Sequence, residues 1–312
     1  MLSFSEYIKQ ECAKEGFFDC SISNSHVLSK EKQYHKEWIA KGFHGNMRYL
    51  ENNLDMRFHP NLLMPGTKSI VTVLLNYYPQ EKMPITNNYR IAKYAYGQDY
   101  HYVVKDKLNR IAEKCREEFG NFEYRAFTDS APIPDRVWAE KGGLGWIGKN
   151  TLLINKQHGS FFVIAHLFID KELTPDKRYQ EDLCLDCTKC IDACPTNALF
   201  TDTSTGSVSY KIDARKCLSY QTIENKSTEK DIPQNEFRNW IFGCDICQDV
   251  CPFNKNPEAT SIKEFTPHPS LFNLRKADWH TLKPMDFGEM FRGTPVKRAG
   301  YMGLVRNIEW LS

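Results

Sequence analysis

CLDCTKCIDACP, the segment Cys184–Pro195, carries four cysteines at the spacing C-x2-C-x2-C-x3-C-P. Three thiolates at this spacing hold three irons of a [4Fe-4S] cube, and the cysteine before the proline ligates a second cluster in two-cluster ferredoxins. The segment therefore predicts an iron–sulfur protein whose remaining ligands lie elsewhere in the chain.

A second cysteine segment, CDICQDVCP at Cys244–Pro252, repeats the last three cysteines of the first at the same spacing. It lacks a leading cysteine, but Cys217 can take that place because lengthening the closing loop adds little entropy cost. We predict two clusters whose ligands cross between the segments. The ligands of cluster 1 are Cys184, Cys187, Cys190 and Cys251, and those of cluster 2 are Cys194, Cys217, Cys244 and Cys247.

Zinc and disulfides are the other interpretations of these cysteines. Zinc sites also use C-x2-C pairs, and disulfides are typical of secreted chains. The close spacing within each segment and the two Cys-Pro endings favour iron–sulfur cubes. Cys12, Cys20 and Cys115 lie outside the segments, and Cys12 and Cys115 fall on apolar helical faces that predict core packing.

The bulk composition indicates a globular chain without a dominant charge. The 312 residues include 41 Lys plus Arg and 39 Asp plus Glu, so no overall basic bias indicates a nucleic-acid binder, although a local patch is compatible with this balance. The first six residues lack a signal-peptide pattern, and no run approaches the roughly 18 apolar residues that cross a bilayer. We expect a cytoplasmic protein without a membrane span.

The pattern of apolar residues predicts both helices and strands. Helices are expected from the Ser3–Glu6 capping box to Gly16, over residues 29–41 and over residues 104–119, and buried strands over residues 69–77, 124–128 and 160–169. A charged segment at 174–182 is expected to link two domains. We predict domains at 1–175 and 176–260, followed by a short C-terminal tail at 261–312.

A glycine-rich loop, KGGLGWIGKN at residues 141–150, nearly meets two nucleotide-binding patterns. Asn150 replaces the Ser or Thr of a P-loop, and the G-x-G-x-x-G spelling lacks a clear strand before it and a helix after it. The two prolines within residues 129–136 predict no regular structure there. The loop by itself is equally consistent with a ligand cradle and with a tight connection.

Several motifs in combination resemble the epoxyqueuosine reductases, and the resemblance covers nearly the whole chain. They are, in order, Arg57, DSAP at 129–132, Asp135-Arg136, EKGGLGWIGKN at 140–150, Gly159-Ser160, the two cysteine segments and FRGTPVKR at 291–298.

The resemblance implies a fold, an activity and a set of cofactors. It implies an α+β fold, in which a nitroreductase-like cobalamin-binding domain is followed by a ferredoxin-like domain with two [4Fe-4S] clusters. It also implies cob(II)alamin as the resting cofactor. The implied reaction reduces epoxyqueuosine to queuosine at the wobble position of tRNA, with loss of water, as the last step of queuosine biosynthesis. The expected partners are this tRNA and a low-potential donor such as a flavodoxin or ferredoxin, with a monomeric enzyme.

The resemblance also implies site residues. Asp129 corresponds to the proton donor, and Asp135 is the second choice. The implied cobalamin contacts are Arg57, Asp129, Asp135, Arg136, Gly145, Trp146, Lys149, Asn150 and Ser160. His101 does not complete a cobalt-binding D-x-H-x-x-G pattern because Val104 occupies the glycine position. We therefore expect His101 to be an ordinary helix-start residue and no histidine to bind cobalt.

The C-terminal tail departs from the family pattern, since many members continue into HEAT-like repeats that help hold tRNA. Candidate phosphate contacts here are Arg275, Lys276, Lys297, Arg298 and Arg306, each of which could equally belong to a solvated basic face. Two rival functions remain at this point. One is a cobalamin-dependent reductase of a small molecule, similar to reductive dehalogenases, and the other is a non-catalytic two-cluster electron-transfer subunit.

Overall fold

Four antiparallel strands form the central sheet in the computed structural model, which describes residues 2–84, 88–179, 181–203 and 209–312. The strand order is β1 (Asp19–Asn24), β2 (Ser69–Asn76), β7 (Phe162–Ile169) and β4 (Tyr124–Phe127). The long central pair runs in register from Ser69 opposite Ile169 to Asn76 opposite Phe162. This sheet contains the three strands that apolar periodicity predicts.

The remaining strands are short pairs outside this sheet. They are β3 (Arg90–Ile91) with β10 (Trp240–Phe242), β5 (Trp146–Ile147) with β6 (Leu153–Ile154), and β8 (Leu199–Asp202) with β9 (Ser209–Ile212). The helices are α1 (Phe4–Lys14), α2 (Ser29–Ala40), α3 (Leu54–Phe58), α4 (Pro60–Leu63), α5 (Tyr100–Phe119), α6 (Asp135–Lys141), α7 (Lys189–Asp192), α8 (Leu218–Ile223), α9 (Ile246–Asp249), α10 (Ser270–Asn273), α11 (Lys276–His280), α12 (Pro284–Met290) and α13 (Gly300–Trp310).

Both faces of the central sheet are covered, which explains why β2 is apolar almost throughout. Alternate side chains of a strand point to opposite faces. Val71 and Val73 accordingly pack with α1 and α5, whereas Ile70 packs in a separate cluster with Trp138 of α6. The core against α1 and α5 includes Cys12 and Cys115, at 1% and 0% exposure, so the predicted packing of both is confirmed.

The first helix begins as its sequence predicts. The Ser3 hydroxyl accepts a hydrogen bond from the Glu6 amide, and the Glu6 carboxylate accepts one from the Ser3 amide at 2.9 Å. These two bonds satisfy amides at the start of the helix that have no partner within it. Helix α5 starts at Tyr100, which agrees with the expectation that His101 lies at a helix start, and the Asp99 side chain caps it.

The prediction that residues 129–136 lack regular structure is wrong for the last two residues, which are helical. Helix α6 begins at Asp135, directly after Pro134. A proline can precede a helix without loss, because the first helical turn has no internal acceptor for its amides.

A second core joins distant parts of the chain. It brings together residues from 83–96, from 218–246 and from 271–311, including Tyr89, Phe242, Trp279 and Leu304. Asn307 of α13, 2% exposed, donates hydrogen bonds to the carbonyls of Thr222 and Ile241 at 2.8 and 2.9 Å. The predicted tail is therefore packed onto residues from the other two predicted domains, and the boundaries at 175 and 260 remain predictions.

In the part of the chain that the structure describes, no helix has both the length and the apolar character that crossing a membrane requires.

Replacing Leu108 with Ala should destabilise the fold by about 2–5 kcal/mol, because Leu108 is 0% exposed in the core beneath α5 and its removal leaves a cavity. Urea unfolding followed by circular dichroism measures this change. Tyr102→Ala on the same helix is the matched control, since Tyr102 is 76% exposed, and its effect should stay within about 0.5 kcal/mol. Equal effects of the two changes would contradict the described orientation of α5.

Candidate active site and cluster-binding region

The seven cysteines of the two segments, together with Cys217, lie in two neighbouring groups. Burial raises the pKa of Cys251, and the nearby Cys184 and Cys187 raise it further. Burial also raises the pKa of Cys190 to about 11, and Cys184 and Cys251 contribute to this shift. In the other group, burial raises the pKa of Cys247, and the nearby Cys217 and Cys194 raise it further, as does Cys190 of the adjoining first group. These neighbourhoods agree with the crossed sets, whereas the ligand role of each thiol remains a prediction.

All eleven cysteines are free thiols, so the disulfide interpretation is wrong for this structure. Among the described residues, no three His, Cys, Asp or Glu side chains converge in the way that the ligands of a single metal ion do.

A buried ion pair connects the second cysteine segment to the N-terminal half. Lys93 Nζ lies 3.2 Å from the Asp245 carboxylate and 2.6 Å from that of Asp249, and the Lys93 amide donates to Asp245 at 2.9 Å. The side chains of Lys93 and Asp245 are only 9% and 2% exposed. A buried charge needs such a partner, because an unpaired one would be strongly destabilising.

Ser160 belongs to a second connection of the same kind. Its hydroxyl accepts hydrogen bonds from Gln248 at 3.1 Å and from Asn254 at 2.9 Å, and its amide donates to Asn254 at 2.7 Å. Ser160 is 4% exposed. The structure therefore places this predicted cobalamin contact inside a polar network with the second cysteine segment, and its contact with cobalamin remains a prediction.

The glycine-rich loop is a tight connection within the protein. A Cβ on Gly142 would lie 2.1 Å from the Ser21 hydroxyl. A Cβ on Gly143 would lie 2.3 Å from the Lys177 carbonyl oxygen, and a Cβ on Gly145 would lie 2.0 Å from the Ile154 carbonyl oxygen. Gly143 and Gly145 also have positive φ angles of 92° and 152°. Close approach of other protein backbone and side chains, together with these angles, requires glycine here.

Two side chains of the loop donate hydrogen bonds to the first cysteine segment. The Trp146 indole N–H donates to Cys184 Sγ at 3.4 Å, and the Lys149 ammonium donates to the Leu185 carbonyl at 2.5 Å. Both side chains are buried, at 3% and 5% exposure. Gly145, Trp146 and Lys149 remain predicted cobalamin contacts, but the partners that the structure gives them lie on their own hairpin and on the cluster 1 segment.

Asp129 lies at the end of β4 in a left-handed backbone conformation, with φ of 36°. For a residue other than glycine this conformation costs on the order of 1–3 kcal/mol and is concentrated at functional sites. Its side chain is 57% exposed, yet enough protein surrounds it for desolvation to act on its pKa. The carboxylate is therefore both accessible and partly desolvated, and we refer to its surroundings, which include Tyr100 and His101, as the recess.

Two residues at the start of α5 contact the Asp129 carboxylate. The Tyr100 hydroxyl donates to Asp129 Oδ2 at 2.6 Å, and His101 Nε2 lies 3.5 Å from the same oxygen. His101 Nδ1 is 2.6 Å from Asp99 Oδ1. His101 is thus at a helix start, as predicted, but it also belongs to a chain of titratable groups that leads to Asp129.

The electrostatics of this group keep Asp129 ionised and His101 protonated. Desolvation raises the pKa of Asp129, but hydrogen bonds from His101 and Tyr100 outweigh it, and the net pKa is lowered. Desolvation lowers the pKa of His101, but the Asp129 and Asp99 carboxylates outweigh it and raise that pKa to about 9. At neutral pH the proton of this group is therefore held on the imidazole.

The sequence interpretation missed Tyr100 and His101 as partners of Asp129. The Asp99-Tyr100-His101 motif at a helix start was the available signal, but nothing local indicates that this helix start meets the end of β4.

Four other predicted site residues are Arg57, Asp135, Arg136 and Asn150, and the charge of Asp129 acts on the pKa values of Arg57 and Arg136. The charges of Asp135 and Asp129 both raise the pKa of Arg57, against a larger lowering by desolvation. Asp135 Oδ1 lies 3.1 Å from His166 Nε2, and Arg136 donates to the Thr151 carbonyl. Arg57 Nε and Asn150 Nδ2 are buried without an acceptor among the described residues.

The candidate phosphate contacts are dispersed. Arg298 lies 2.7 Å from Glu224 and over the Tyr49 ring, and its charge acts on Asp129. Arg275 pairs with Asp278 at 3.3 Å, Lys276 lies over Tyr89, and Arg306 donates to Asn307. Lys297 is exposed in the 3-10 turn Pro295–Arg298. Of the five, Arg298 has a described electrostatic contact with the recess.

The His101 imidazole should titrate near pH 9, because its pKa is raised above the ordinary 6.5. The stability that this ion pairing contributes is complete below about pH 6.5 and is lost as the pH rises through about 9. NMR of ¹³C-labelled histidine measures the titration. Asp129→Asn should lower the midpoint, whereas Asp106→Asn, an exposed change farther along α5, should not. A wild-type midpoint near 6.5 would contradict the described ion pairs.

Two protein families match separate parts of the chain, one in each half. Residues 57–130 match the family described as epoxyqueuosine reductase QueG, DUF1730, and residues 183–254 match the 4Fe-4S double cluster binding domain. The second match supports the iron–sulfur interpretation of the cysteines over zinc, and it supports two clusters.

Full-length relatives agree with these matches. The chain is 44% identical over 307 residues to the epoxyqueuosine reductase of Cellulophaga algicola, covering 98% of this chain and 97% of the relative. It is 43% identical over 311 residues to that of Leadbetterella byssophila, covering 100% and 99%.

Solved structures confirm the fold. A crystal structure of a selenomethionine-labelled epoxyqueuosine reductase superimposes with a TM-score of 0.87 at 25% identity, covering 98% of this chain and 80% of the other. The structure of the epoxyqueuosine reductase from Streptococcus thermophilus superimposes with a TM-score of 0.84 at 28% identity. The match covers 97% of this chain and 79% of the other. The chain belongs to the epoxyqueuosine reductase family, a family of oxidoreductases.

Proposed function

We propose that this protein reduces epoxyqueuosine to queuosine at the wobble position of tRNA, the last step of queuosine biosynthesis. Cobalamin and electrons relayed by two [4Fe-4S] clusters serve this reaction. The observation that carries the proposal is the group formed by Asp129, Tyr100 and His101 in an open recess of a chain that also gathers eight cluster-type thiols. An epoxyqueuosine reductase solved with an epoxyqueuosine-modified tRNA stem loop, at a TM-score of 0.86 and 25% identity, supports the substrate.

The chemistry of the predicted contact residues fits cobalamin. This cofactor presents amide and phosphate oxygens, and the buried donors Arg57 Nε and Asn150 Nδ2 have no acceptor among the described residues. A buried donor without a partner is costly, so a ligand oxygen at either position stabilises the complex. Arg57, Asp135, Arg136 and Asn150 would hold the cofactor, which when bound and reduced supplies electrons for the reduction. No histidine is proposed as a cobalt ligand.

Asp129 delivers the proton that the epoxide oxygen requires. Reduction of an epoxide to an alkene consumes two electrons and two protons and releases water, and a positioned acid contributes roughly 10²–10⁴-fold to such a step. Asp129 is ionised in the described structure, and His101 holds the nearest proton. Covering the recess removes water from Asp129 and raises its pKa. This shift favours proton transfer from His101 Nε2 to Asp129 Oδ2 and then to the epoxide oxygen. A second proton, taken up from solvent by the same pair of residues, allows that oxygen to leave as water.

The oligomeric state, cellular location and electron donor are proposed from this reaction. The protein acts as a monomer in the cytoplasm, where it receives electrons from a low-potential donor such as a flavodoxin or ferredoxin. Arg298 is our first choice for a tRNA phosphate contact, since it lies near the recess.

Asp129→Asn should lower turnover by roughly 10²–10⁴-fold, because an amide cannot pass on a proton. The assay is anaerobic and follows queuosine formation in epoxyqueuosine-containing tRNA, with cobalt and iron contents measured on the same samples. Asp106→Asn is the control and should retain full turnover. Normal turnover in the Asp129 variant would remove Asp129 from the mechanism, and a wild type that binds no cobalamin or converts no tRNA would refute the proposed function.

The crossed ligand sets predict the iron content of double variants. Cys184→Ala combined with Cys251→Ala should lose one cluster and retain about four irons per chain, whereas Cys244→Ala combined with Cys251→Ala should lose both clusters. Iron and sulfide analysis after anaerobic purification distinguishes them. The opposite ranking would show that each segment binds its own cluster.

A further inference from the structure

Trp146 has a hydrogen-bond partner unusual for an indole, the sulfur of Cys184. The N–H donates to Sγ at 3.4 Å, and the side chain is 3% exposed. The other two described tryptophan N–H groups with partners donate to oxygen: Trp38 to the Ile212 carbonyl and Trp279 to Asn88. The contact therefore links the glycine-rich loop to a proposed ligand of cluster 1.

Two aromatic rings fix the position of this indole. Tyr179 stacks on it at 5.7 Å with an interplanar angle of 24°, and Phe253 meets it edge-on at 4.8 Å and 76°. Tyr179 precedes the first cysteine segment, and Phe253 follows Cys251. Rings from both sides of the proposed cluster 1 ligand set thus hold the N–H against the sulfur.

The backbone of the loop provides a second constraint. Trp146 pairs with Ile154 across β5 and β6, and the preceding Gly145 allows the Ile154 carbonyl to approach to a distance that no Cβ would permit. The orientation of the indole is therefore set by a hairpin that takes no part in binding iron.

The chemistry of iron–sulfur clusters gives this contact a consequence. A cluster gains negative charge on reduction, and part of that charge resides on the ligating sulfurs. A fixed N–H donor stabilises the reduced form more than the oxidised form, so it raises the reduction potential. The effect is greatest in a buried site, where water does not screen the dipole.

We propose that Trp146 is a positioning residue that sets the reduction potential of cluster 1 through its N–H···S hydrogen bond to Cys184. The inference rests on the proposed function, since it requires Cys184 to be a cluster ligand. It assigns Trp146 to electron transfer rather than to the cobalamin contact that the family resemblance implies.

The experiment is an EPR-monitored redox titration of the full-length, anaerobically purified protein with both clusters loaded. Trp146→Phe removes the N–H and keeps an aromatic ring, and one of the two cluster potentials should shift to a more negative value while the other stays. Trp146→His restores a ring N–H and should recover part of the shift. Trp310→Phe is the control and should change neither potential, since the Trp310 N–H has no described partner.

The outcomes separate this inference from the proposed function. Trp146→Phe with full iron and two unchanged potentials overturns the inference alone, whereas a wild type without two clusters refutes the proposed cofactors. If the Phe variant does not assemble its clusters, wild-type protein labelled with indole-¹⁵N tryptophan provides the test. A ¹⁵N hyperfine coupling to a reduced cluster supports the hydrogen bond, and its absence overturns it.

Discussion

The eight thiols proposed as cluster ligands can bind iron only as thiolates, and burial opposes that ionisation. Burial is the largest cause of the raised pKa of Cys217, Cys244 and Cys247. Iron–sulfur binding compensates by replacing the protons with metal, so the free energy of binding becomes part of the free energy of folding. The surrounding chain contributes fixed partners, among them the backbone amides that donate to Cys251 and the indole N–H that donates to Cys184.

The same constraint explains why the cysteine segments are so firmly joined to the N-terminal half. Lys93 pairs with two carboxylates of the second segment, Ser160 bonds Gln248 and Asn254, and Lys149 bonds the backbone of the first segment. Each contact is buried or partly buried and depends on groups from both regions. Electron transfer over a fixed distance benefits from this arrangement, because the ligand loops have little freedom to move relative to the sheet.

Local patterns predicted the elements that local physics determines. The apolar runs of β2 and β7, the Ser3–Glu6 capping box and the cysteine spacing each specify short-range geometry, and the structure contains them. Contacts between residues far apart in the sequence were not predictable in this way. Nothing within residues 141–150 reveals that Ile154 and Lys177 approach its glycines, and nothing within residues 99–101 reveals Asp129. The family resemblance indicated Asp129, but not that a neighbouring imidazole holds the proton.

The core shared by residues 83–96, 218–246 and 271–311 also bears on how the protein is made. Strand β10, which leads directly into Cys244, packs against α13 and accepts the Asn307 hydrogen bond. On the ribosome the nascent chain presents Cys244 and Cys247 well before α13 has emerged from the exit tunnel. The core around β10 can close only after α13 has emerged, so the folded surroundings of these two cysteines are completed last.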